Sequence, residues 1–271
     1  MVLRIAPSNA ERKAYTFSQA TLDKAALCMR TEGALLLEDI VNPKLIVEAR
    51  ENFLQKYARY LDGGIPDGAA VEVGDRRLMI TVDLAPPFDR RELIANSWLF
   101  SVLDAAFQGE FVLDAFGVVC SFPTAARQHI HQDGADLFPQ SGLNRLLPLV
   151  AVTVAIPLLE MNETHGTTSL FPGSHHDETV SAAALEPGFA VSGEEPHVRE
   201  GSCLLWDYRL RHGGTPNRSA SPRPLLYMTY CRPWFTDHKN YQKHPALRAP
   251  ERFLEGVPDD LRSLLARARR C

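Results

Sequence analysis

The spacing of apolar residues changes at about residue 108. Before that point they recur mainly at helical intervals of three and four residues. The clearest case begins at Asn42-Pro43, with apolar side chains at Leu45, Ile46, Ala49, Phe53, Tyr57 and Leu61. We predict further helices over 18–29, after a serine or threonine cap, and over 91–107, with a short strand at 34–40 following Gly33.

From Phe111 onward the apolar runs are short and rich in β-branched and aromatic residues. Four of them are bounded by Gly, Pro or Asn: FVLDAFGVVCSF (111–122), LVAVTVAIPLL (149–159), GSCLLWDY (201–208) and PLLYMTYCRPWF (224–235). Successive strands without alternating helices indicate a sandwich or barrel. We predict one domain over 1–271 that is mainly β with flanking helices. It has a helical N-terminal part (1–108), a β core (about 109–235) and a C-terminal helical tail (236–271).

Composition narrows the functional classes. The net charge of −4 argues against a nucleic-acid partner, which would require a basic surface. No apolar run approaches the length of roughly 18 residues that spans a membrane, and the first residues lack the apolar region of a signal peptide. Five scattered cysteines, with no CxxC pair, favour a reducing compartment. We therefore expect a cytoplasmic protein without nucleic-acid or membrane partners, and the oligomeric state is left open.

Candidate chemistry begins with His131 and Asp133, in RQHIHQDG (127–134). Residues two apart on a strand point to the same side, so an imidazole and a carboxylate here can bind one metal ion. Chance alone predicts about one such pair at this composition, and the chain has three. The pairs His175-x-Asp177 and His176-x-Glu178 follow the turn sequence FPGS (171–174), which favours a role in the turn.

His212 is the candidate third ligand. It lies 79 residues beyond Asp133, after a β-like run, and Gly213-Gly214 follow it. Arg223 comes eleven residues later and opens an apolar strand. A buried guanidinium needs an anion, and its planar shape suits a carboxylate. The alternative is a surface arginine beside a turn.

In this order the motifs resemble those of the phytanoyl-CoA dioxygenase family of iron(II)- and 2-oxoglutarate-dependent oxygenases. The resemblance covers roughly residues 25–235 and is carried by four stretches: HQD (131–133), HGTTSLFPGSH (165–175), GSCLLWDYRLRHGGTPN (201–217) and SPRPLLYMTY (221–230). It implies a double-stranded β-helix core, which is a cupin-like jelly-roll. It also implies Fe(II), 2-oxoglutarate and O2 as cofactor and cosubstrates, and a small-molecule substrate. The resemblance does not fix the substrate. Because the sequence has no basic cluster to bind a CoA diphosphate, we expect hydroxylation of a specialised metabolite rather than of an acyl-CoA, with release of succinate and CO2.

The resemblance assigns roles position by position. His131, Asp133 and His212 would hold the iron, and Arg223 would bind the distal carboxylate of 2-oxoglutarate. Further candidates for contact with the cosubstrate are Gln128, Thr153 and Thr229, although packing in the core is the alternative for both threonines. Candidate substrate contacts are His129, Phe138, His165, Trp234 and Phe235, and packing is again the alternative for the aromatic side chains. We expect the mouth of the site to be built from 62–75, 134–148, 160–168 and 233–245.

Two other functions use the same residues. A cupin-like metalloenzyme could bind metal through the three ligands without 2-oxoglutarate, and Arg223 would then be dispensable. A non-catalytic jelly-roll protein could bind a ligand without turnover.

Overall fold

The computed structural model describes residues 1–61, 69–139, 141–176, 193–242 and 244–271. Its helices are α1 Asn9–Ala14, α2 Gln19–Thr31, α3 Pro43–Lys56, α4 Ala58–Leu61, α5 Arg91–Ile94, α6 Ser97–Phe107, α7 Glu251–Glu255 and α8 Asp259–Arg262. Its strands are β1 Leu3–Ile5, β2 Ala34–Leu37, β3 Ala70–Glu72, β4 Arg77–Thr81, β5 Val112–Ser121, β6 Ala151–Pro157, β7 Thr168–Leu170, β8 Cys203–Asp207, β9 His212–Gly214, β10 Arg223–Cys231, β11 Arg248–Ala249 and β12 Arg269–Arg270.

Eight strands form one large sheet in the order β1-β2-β8-β6-β10-β5-β4-β3. All neighbours are antiparallel except β1 and β2. A smaller sheet pairs β7 with β9, and single bridges extend it to His131 on one side and Glu194 on the other. Two facing sheets of this kind form the expected jelly-roll.

One face of the large sheet packs against the helices, and the opposite face lines a cavity. On β10, Leu226, Met228 and Tyr230 belong to the core that the sheet shares with the helices. The alternate residues, Leu225, Tyr227 and Thr229, line a cavity on the opposite face. Because side chains alternate along a strand, a single strand serves both the packing of the helices and the construction of the site.

Side-chain caps explain where the helices begin. The Ser18 hydroxyl accepts a hydrogen bond from the Thr21 amide, and the Asn42 side chain accepts one from the Lys44 amide. Both predicted helix starts are therefore confirmed. Asn96 caps α6 through the amides of Trp98 and Leu99, which divides the predicted 91–107 helix into α5 and α6.

Other predicted elements need correction. Strands β1, β3 and β4 lie within the region predicted as helical, where they extend the large sheet on both sides. The C-terminal tail (236–271), predicted to be helical, contains within its described residues only α7 and α8, together with the short strands β11 and β12. Pro258 interrupts it because proline cannot donate a main-chain hydrogen bond to a continuing helix. Within the described ranges, no helix has the length and apolar character needed to cross a bilayer.

Gly117 on β5 should tolerate no side chain. A Cβ there would collide with the main-chain oxygen of Ile80 and would lie 2.8 Å from the Tyr227 hydroxyl oxygen. We expect Gly117→Ala to lower stability by about 1–3 kcal/mol, and hence Tm by several degrees at about 2–4 °C per kcal/mol. Thermal unfolding followed by circular dichroism measures this change. The control is Gly109→Ala, whose added Cβ has its nearest neighbour at 3.5 Å. Equal Tm values for the two variants would contradict the prediction.

Candidate metal centre

A pair of main-chain hydrogen bonds brings His131 and His212 together. The His131 amide donates to the His212 oxygen at 2.9 Å, and the His212 amide donates to the His131 oxygen at 2.8 Å. The ring centroids are consequently 4.5 Å apart. Directly opposed residues of an antiparallel pair project to the same face, so both imidazoles point into the cavity.

Asp133 completes the cluster. Its Oδ1 lies 3.4 Å from Nε2 of His212. The potential ligand atoms of His131, Asp133 and His212 all lie within 4.8 Å of one another. Two imidazoles and one carboxylate that leave other positions free form the donor set of non-haem Fe(II) oxygenases.

Main-chain carbonyls determine which histidine nitrogens can bind metal. Nδ1 of His131 lies 2.9 Å from the His129 oxygen, and Nδ1 of His212 lies 2.9 Å from the Leu210 oxygen. Because a carbonyl oxygen can only accept, each Nδ1 carries the proton. Each Nε2 therefore offers a lone pair to the cavity.

The second carboxylate oxygen of Asp133 is already occupied. Its Oδ2 accepts hydrogen bonds from the Thr153 hydroxyl at 2.7 Å and from the Trp206 indole at 3.0 Å. Oδ1 is thus left to bind a metal ion. Thr153, a predicted cosubstrate contact, lines the cavity and donates its hydroxyl hydrogen to Asp133. Trp206 was not predicted, because an indole in an apolar run looks like core packing.

Residues of the C-terminal segment form hydrogen bonds with the main chain of Asp133. Lys239 Nζ donates to the oxygens of Gln132 and Asp133, and the Asn240 amide donates to the Asp133 oxygen at 3.0 Å. Asp237 accepts hydrogen bonds from the side chains of Tyr208 and Asn240. The sequence carries no periodic signal for these polar loop residues, and they were missed.

The three groups shift one another's pKa values. Burial, and then the neighbouring His212, lower the pKa of His131 to about 4. Burial also acts to lower the pKa of His212, but the charge and hydrogen bond of Asp133 outweigh it and the pKa is raised. Burial alone would raise the pKa of Asp133, but the imidazoles and the Thr153 hydroxyl hold it well below its usual range. At neutral pH, Asp133 is an anion and His131 is a neutral ligand.

The cavity in front of these residues measures about 150 Å³ and is also lined by Arg223. Arg223 is 2% exposed, and its Nε and Nη1 have no hydrogen-bond partner among the described residues. Burial, and then the nearby Arg77, lower its pKa to about 10, so it stays charged at neutral pH. The predicted buried arginine is therefore present, with two donors that no described residue satisfies.

Arg77 is a second buried cation, and no pattern in the sequence predicted it. It lies on β4, and both Arg77 and Arg223 pair in register with Ser121 on β5. Nη1 and Nη2 of Arg77 donate to the main-chain oxygens of Ala126 and Thr215. Nε of Arg77 and the Ser121 hydroxyl have no hydrogen-bond partner among the described residues. Neither guanidinium forms an ion pair with a carboxylate of the described ranges. This end of the site has unused donors for an anionic group.

The other two candidates for cosubstrate contact also line the cavity. Gln128 donates to the Val73 oxygen and accepts from the Gly214 amide, so both ends of its side-chain amide are bound to main chain. Thr229 lies opposite Thr153 in the pairing of β10 with β6.

The structure does not place the five predicted substrate residues on the described wall of this cavity. Phe138 and Trp234 are 47% and 63% exposed. His129 lies beside His131 but is exposed, and the ring of His165 contacts the Glu160 oxygen. Phe235 is buried behind Tyr208, at 5.9 Å between ring centroids, because its apolar ring packs in the core.

Other side chains occupy the wall near the metal ligands: Tyr208, Tyr227, Lys239, Asn240 and Tyr241. Three of the four segments expected at the mouth contribute to the cavity wall: Val73 comes from 62–75, Thr168 from 160–168, and Lys239, Asn240 and Tyr241 from 233–245. Residues 62–68 lie outside the described ranges, as do Asp177 and Glu178 of the two alternative His-x-acid pairs. The imidazole of His175 contacts the Arg30 oxygen instead.

Comparisons with known proteins agree with this geometry. The phytanoyl-CoA dioxygenase (PhyH) family model matches residues 29–225. Dioxygenase aneA of Aspergillus aculeatus is 24% identical over 229 residues, which are 80% of this chain and 74% of aneA.

Two crystal structures share the fold. SnoN, a non-heme alpha ketoglutarate dependent epimerase from nogalamycin biosynthesis, superposes with a TM-score of 0.61 at 18% identity, covering 79% of this chain and 82% of SnoN. AviO1 from Streptomyces viridochromogenes Tue57 superposes with a TM-score of 0.59 at 22% identity, covering 80% and 98%. The predicted jelly-roll fold is confirmed.

These findings define a non-haem iron oxygenase of the double-stranded β-helix class. The chain belongs to the phytanoyl-CoA dioxygenase family, and it is an Fe(II)- and 2-oxoglutarate-dependent oxidoreductase that uses O2. Its residues fit these groups, because the donor set suits ferrous iron and the unpaired buried guanidinium groups suit a dicarboxylate.

The Thr153 hydroxyl should contribute to metal affinity through Asp133. We expect Thr153→Val, which keeps the shape of the side chain but removes the hydrogen bond, to weaken Fe(II) binding about 10- to 100-fold. Anaerobic calorimetric titration without 2-oxoglutarate measures this. The matched control is Thr229→Val on the paired strand, because no hydrogen bond joins Thr229 to Asp133 among the described contacts. Equal losses for both variants would contradict a specific role for Thr153.

Metal binding should depend on pH through His212. Because the pKa of His212 is raised, a proton competes with the metal for this imidazole as the pH falls through the histidine range. His131, with a pKa of about 4, is already neutral in that range and does not compete. We expect affinity for Co(II) to fall up to tenfold per pH unit as pH drops toward 5. We also expect close to one proton to be released per ion bound. Calorimetry in two buffers of different ionisation enthalpy counts that proton, and a count near two or zero at pH 6 contradicts the assignment.

Proposed function

We propose that this enzyme hydroxylates a small organic molecule of specialised metabolism, with release of succinate and CO2. Relatives support this substrate class: SnoN has been crystallised with Fe3+, alpha ketoglutarate and nogalamycin RO, and the similar enzyme SnoK is a carbocyclase from the same biosynthesis. The main support for 2-oxoglutarate-dependent chemistry in this chain is Arg223, which is buried, has two unpaired donors and lines the same cavity as the three metal ligands.

In this proposal Nε2 of His131, Oδ1 of Asp133 and Nε2 of His212 hold the iron. When bound, the ferrous ion and 2-oxoglutarate together supply the oxidising power of the reaction by activating O2. Thr153 and Trp206 orient Asp133 by occupying its other oxygen. Lys239 and Asn240 fix the main chain of the same residue through hydrogen bonds to its oxygen.

Arg223 binds the distal carboxylate of 2-oxoglutarate, and Arg77 reinforces the positive field behind it. A guanidinium–carboxylate pair, made side-on through Nε or end-on through Nη1, would satisfy one of the two donors that are otherwise unpaired. Gly214 leaves room for this arrangement, because a Cβ there would lie 2.7 Å from Oε1 of Gln128 and 3.2 Å from Nε of Arg77. Gln128 in turn holds the Gly214 amide in place.

A cupin-like metalloenzyme without 2-oxoglutarate is less well supported. It would leave two buried guanidinium groups without a counter-ion, which is costly in a low-dielectric interior. A non-catalytic ligand-binding protein would have no use for an intact metal triad. The five free cysteines, four of them buried, support the proposed cytoplasmic location.

The test is the affinity for 2-oxoglutarate. We expect anaerobic enzyme with Fe(II) and 2-oxoglutarate to show a visible charge-transfer band. We expect Arg223→Leu to require about 10- to 100-fold more 2-oxoglutarate to reach it, since charge-assisted hydrogen bonds are each worth about 1.5–3 kcal/mol. Fe(II) affinity should be unchanged.

Arg218→Leu is the control, because the side chain of this exposed arginine donates to the Glu163 oxygen, outside the metal cavity. Unaltered 2-oxoglutarate affinity in Arg223→Leu would favour the cupin-like alternative. If Arg223→Leu loses affinity as expected, a screen of organic compounds for stimulation of succinate release would identify the substrate.

A further inference from the structure

The metal cavity is too small to enclose both a cosubstrate and an organic substrate. It measures about 150 Å³, whereas pockets for drug-sized ligands measure about 300–1,000 Å³. Because 2-oxoglutarate must occupy the part between the metal ligands and Arg223, most of the substrate has to lie outside this cavity.

A second cavity of about 650 Å³ adjoins the first, and we call it the distal cavity. It is lined mainly by two stretches of the C-terminal segment, within 236–247 and 266–269, together with Asp114. Tyr241 lines both cavities, so its ring is a shared wall. A molecule that extends across Tyr241 would place one part in each cavity.

His244 is an unsatisfied polar group on the wall of the distal cavity. It is 5% exposed, and neither Nδ1 nor Nε2 has a hydrogen-bond partner among the described residues. Burial lowers its pKa, so the ring is neutral at neutral pH. A neutral imidazole presents one N–H donor and one lone-pair acceptor, and burying such groups unpaired is unfavourable. The complementary ligand group is one that both donates and accepts, as an alcohol hydroxyl does.

The buried charged groups around this cavity already have partners. Asp114 pairs with Arg267, whose other donors reach the oxygens of Pro233 and Phe235. Asp237 accepts from Tyr208 and Asn240. Much of the remaining wall is apolar: Pro245, Ala246, Leu247, Ala266 and Ala268. A neutral ligand with apolar faces therefore matches the wall better than an ion.

We propose that the distal cavity binds a neutral, hydroxyl-bearing part of the substrate, with His244 as its hydrogen-bonding partner and Tyr241 separating it from the reacting end. This inference rests on the proposed function, which names the occupant as substrate and places 2-oxoglutarate in the metal cavity. His244 and Tyr241 lie beyond residues 29–225, the part that matches the family model. The distal cavity is thus a feature through which this chain would select its own substrate.

The probe for the test is cyclohexanol, with methoxycyclohexane as the matched compound that lacks the O–H donor. Enzyme labelled with 15N-histidine, carrying Zn(II) and 2-oxoglutarate, is titrated with each compound while the imidazole nitrogens are observed by NMR. We expect cyclohexanol to shift the His244 resonances saturably and methoxycyclohexane to bind about three- to tenfold more weakly. His244→Phe assigns the resonance and should abolish this preference for the alcohol.

Two further variants separate binding from misfolding. Ala266→Trp places a bulky ring at an exposed position on the cavity wall and should block the cyclohexanol response without disturbing the core. His238→Phe removes an exposed imidazole from the same wall and should leave the response intact. An identical response in Ala266→Trp, or equal affinity for the two compounds in the unaltered enzyme, overturns the inference.

The Fe(II)–2-oxoglutarate band distinguishes this inference from the proposed function. Enzyme that shows the band but no His244 response to cyclohexanol refutes the distal cavity as a ligand site and leaves the oxygenase intact. Enzyme that shows the His244 response but no band retains the ligand site and refutes the oxygenase chemistry.

Discussion

The site depends on one pair of main-chain hydrogen bonds, between His131 and His212. These residues are far apart in sequence, and neither lies in a long strand. Their exchange of amide and carbonyl bonds places two imidazoles on one face at 4.5 Å between ring centroids. Asp133 follows two residues later on the same side, so the register of this single bridge determines whether the donor set exists. A slip of one residue would turn one imidazole away from the cavity.

The two ends of the metal cavity carry opposite charge for different reasons. Asp133 keeps its negative charge because the imidazoles and two hydrogen-bond donors stabilise it. Arg223 and Arg77 keep their positive charge although they are buried without a carboxylate partner. Such a pair of like charges is stable only if other groups or a bound anion compensate it. The large sheet imposes this arrangement, because β4, β5 and β10 hold Arg77, Ser121 and Arg223 in one row.

The residues that bind metal and cosubstrate lie in the part of the chain that matches the family model, whereas part of the cavity wall comes from the segment that follows it. The metal ligands and Arg223 lie within residues 29–225, which match the family model. Lys239, Asn240 and Tyr241 lie beyond it, yet they contact or line the same cavity. The reaction type is thus built into the jelly-roll, whereas the shape of the entrance depends on the segment that follows it.

Local patterns in the sequence determined the helices near residues 19 and 43, the main strands, the His-x-Asp pair and the arginine that opens β10. These features could be predicted because they depend on spacing, capping and burial within a few residues. The tertiary structure alone decided that Thr153 and Trp206 bind Asp133, that Arg77 stands beside Arg223, and that predicted substrate residues such as Phe235 and Trp234 lie off the cavity wall. Those outcomes depend on which strands become neighbours and in what register. That choice is made by packing of the whole chain, and nothing in a residue's own neighbourhood in sequence encodes it.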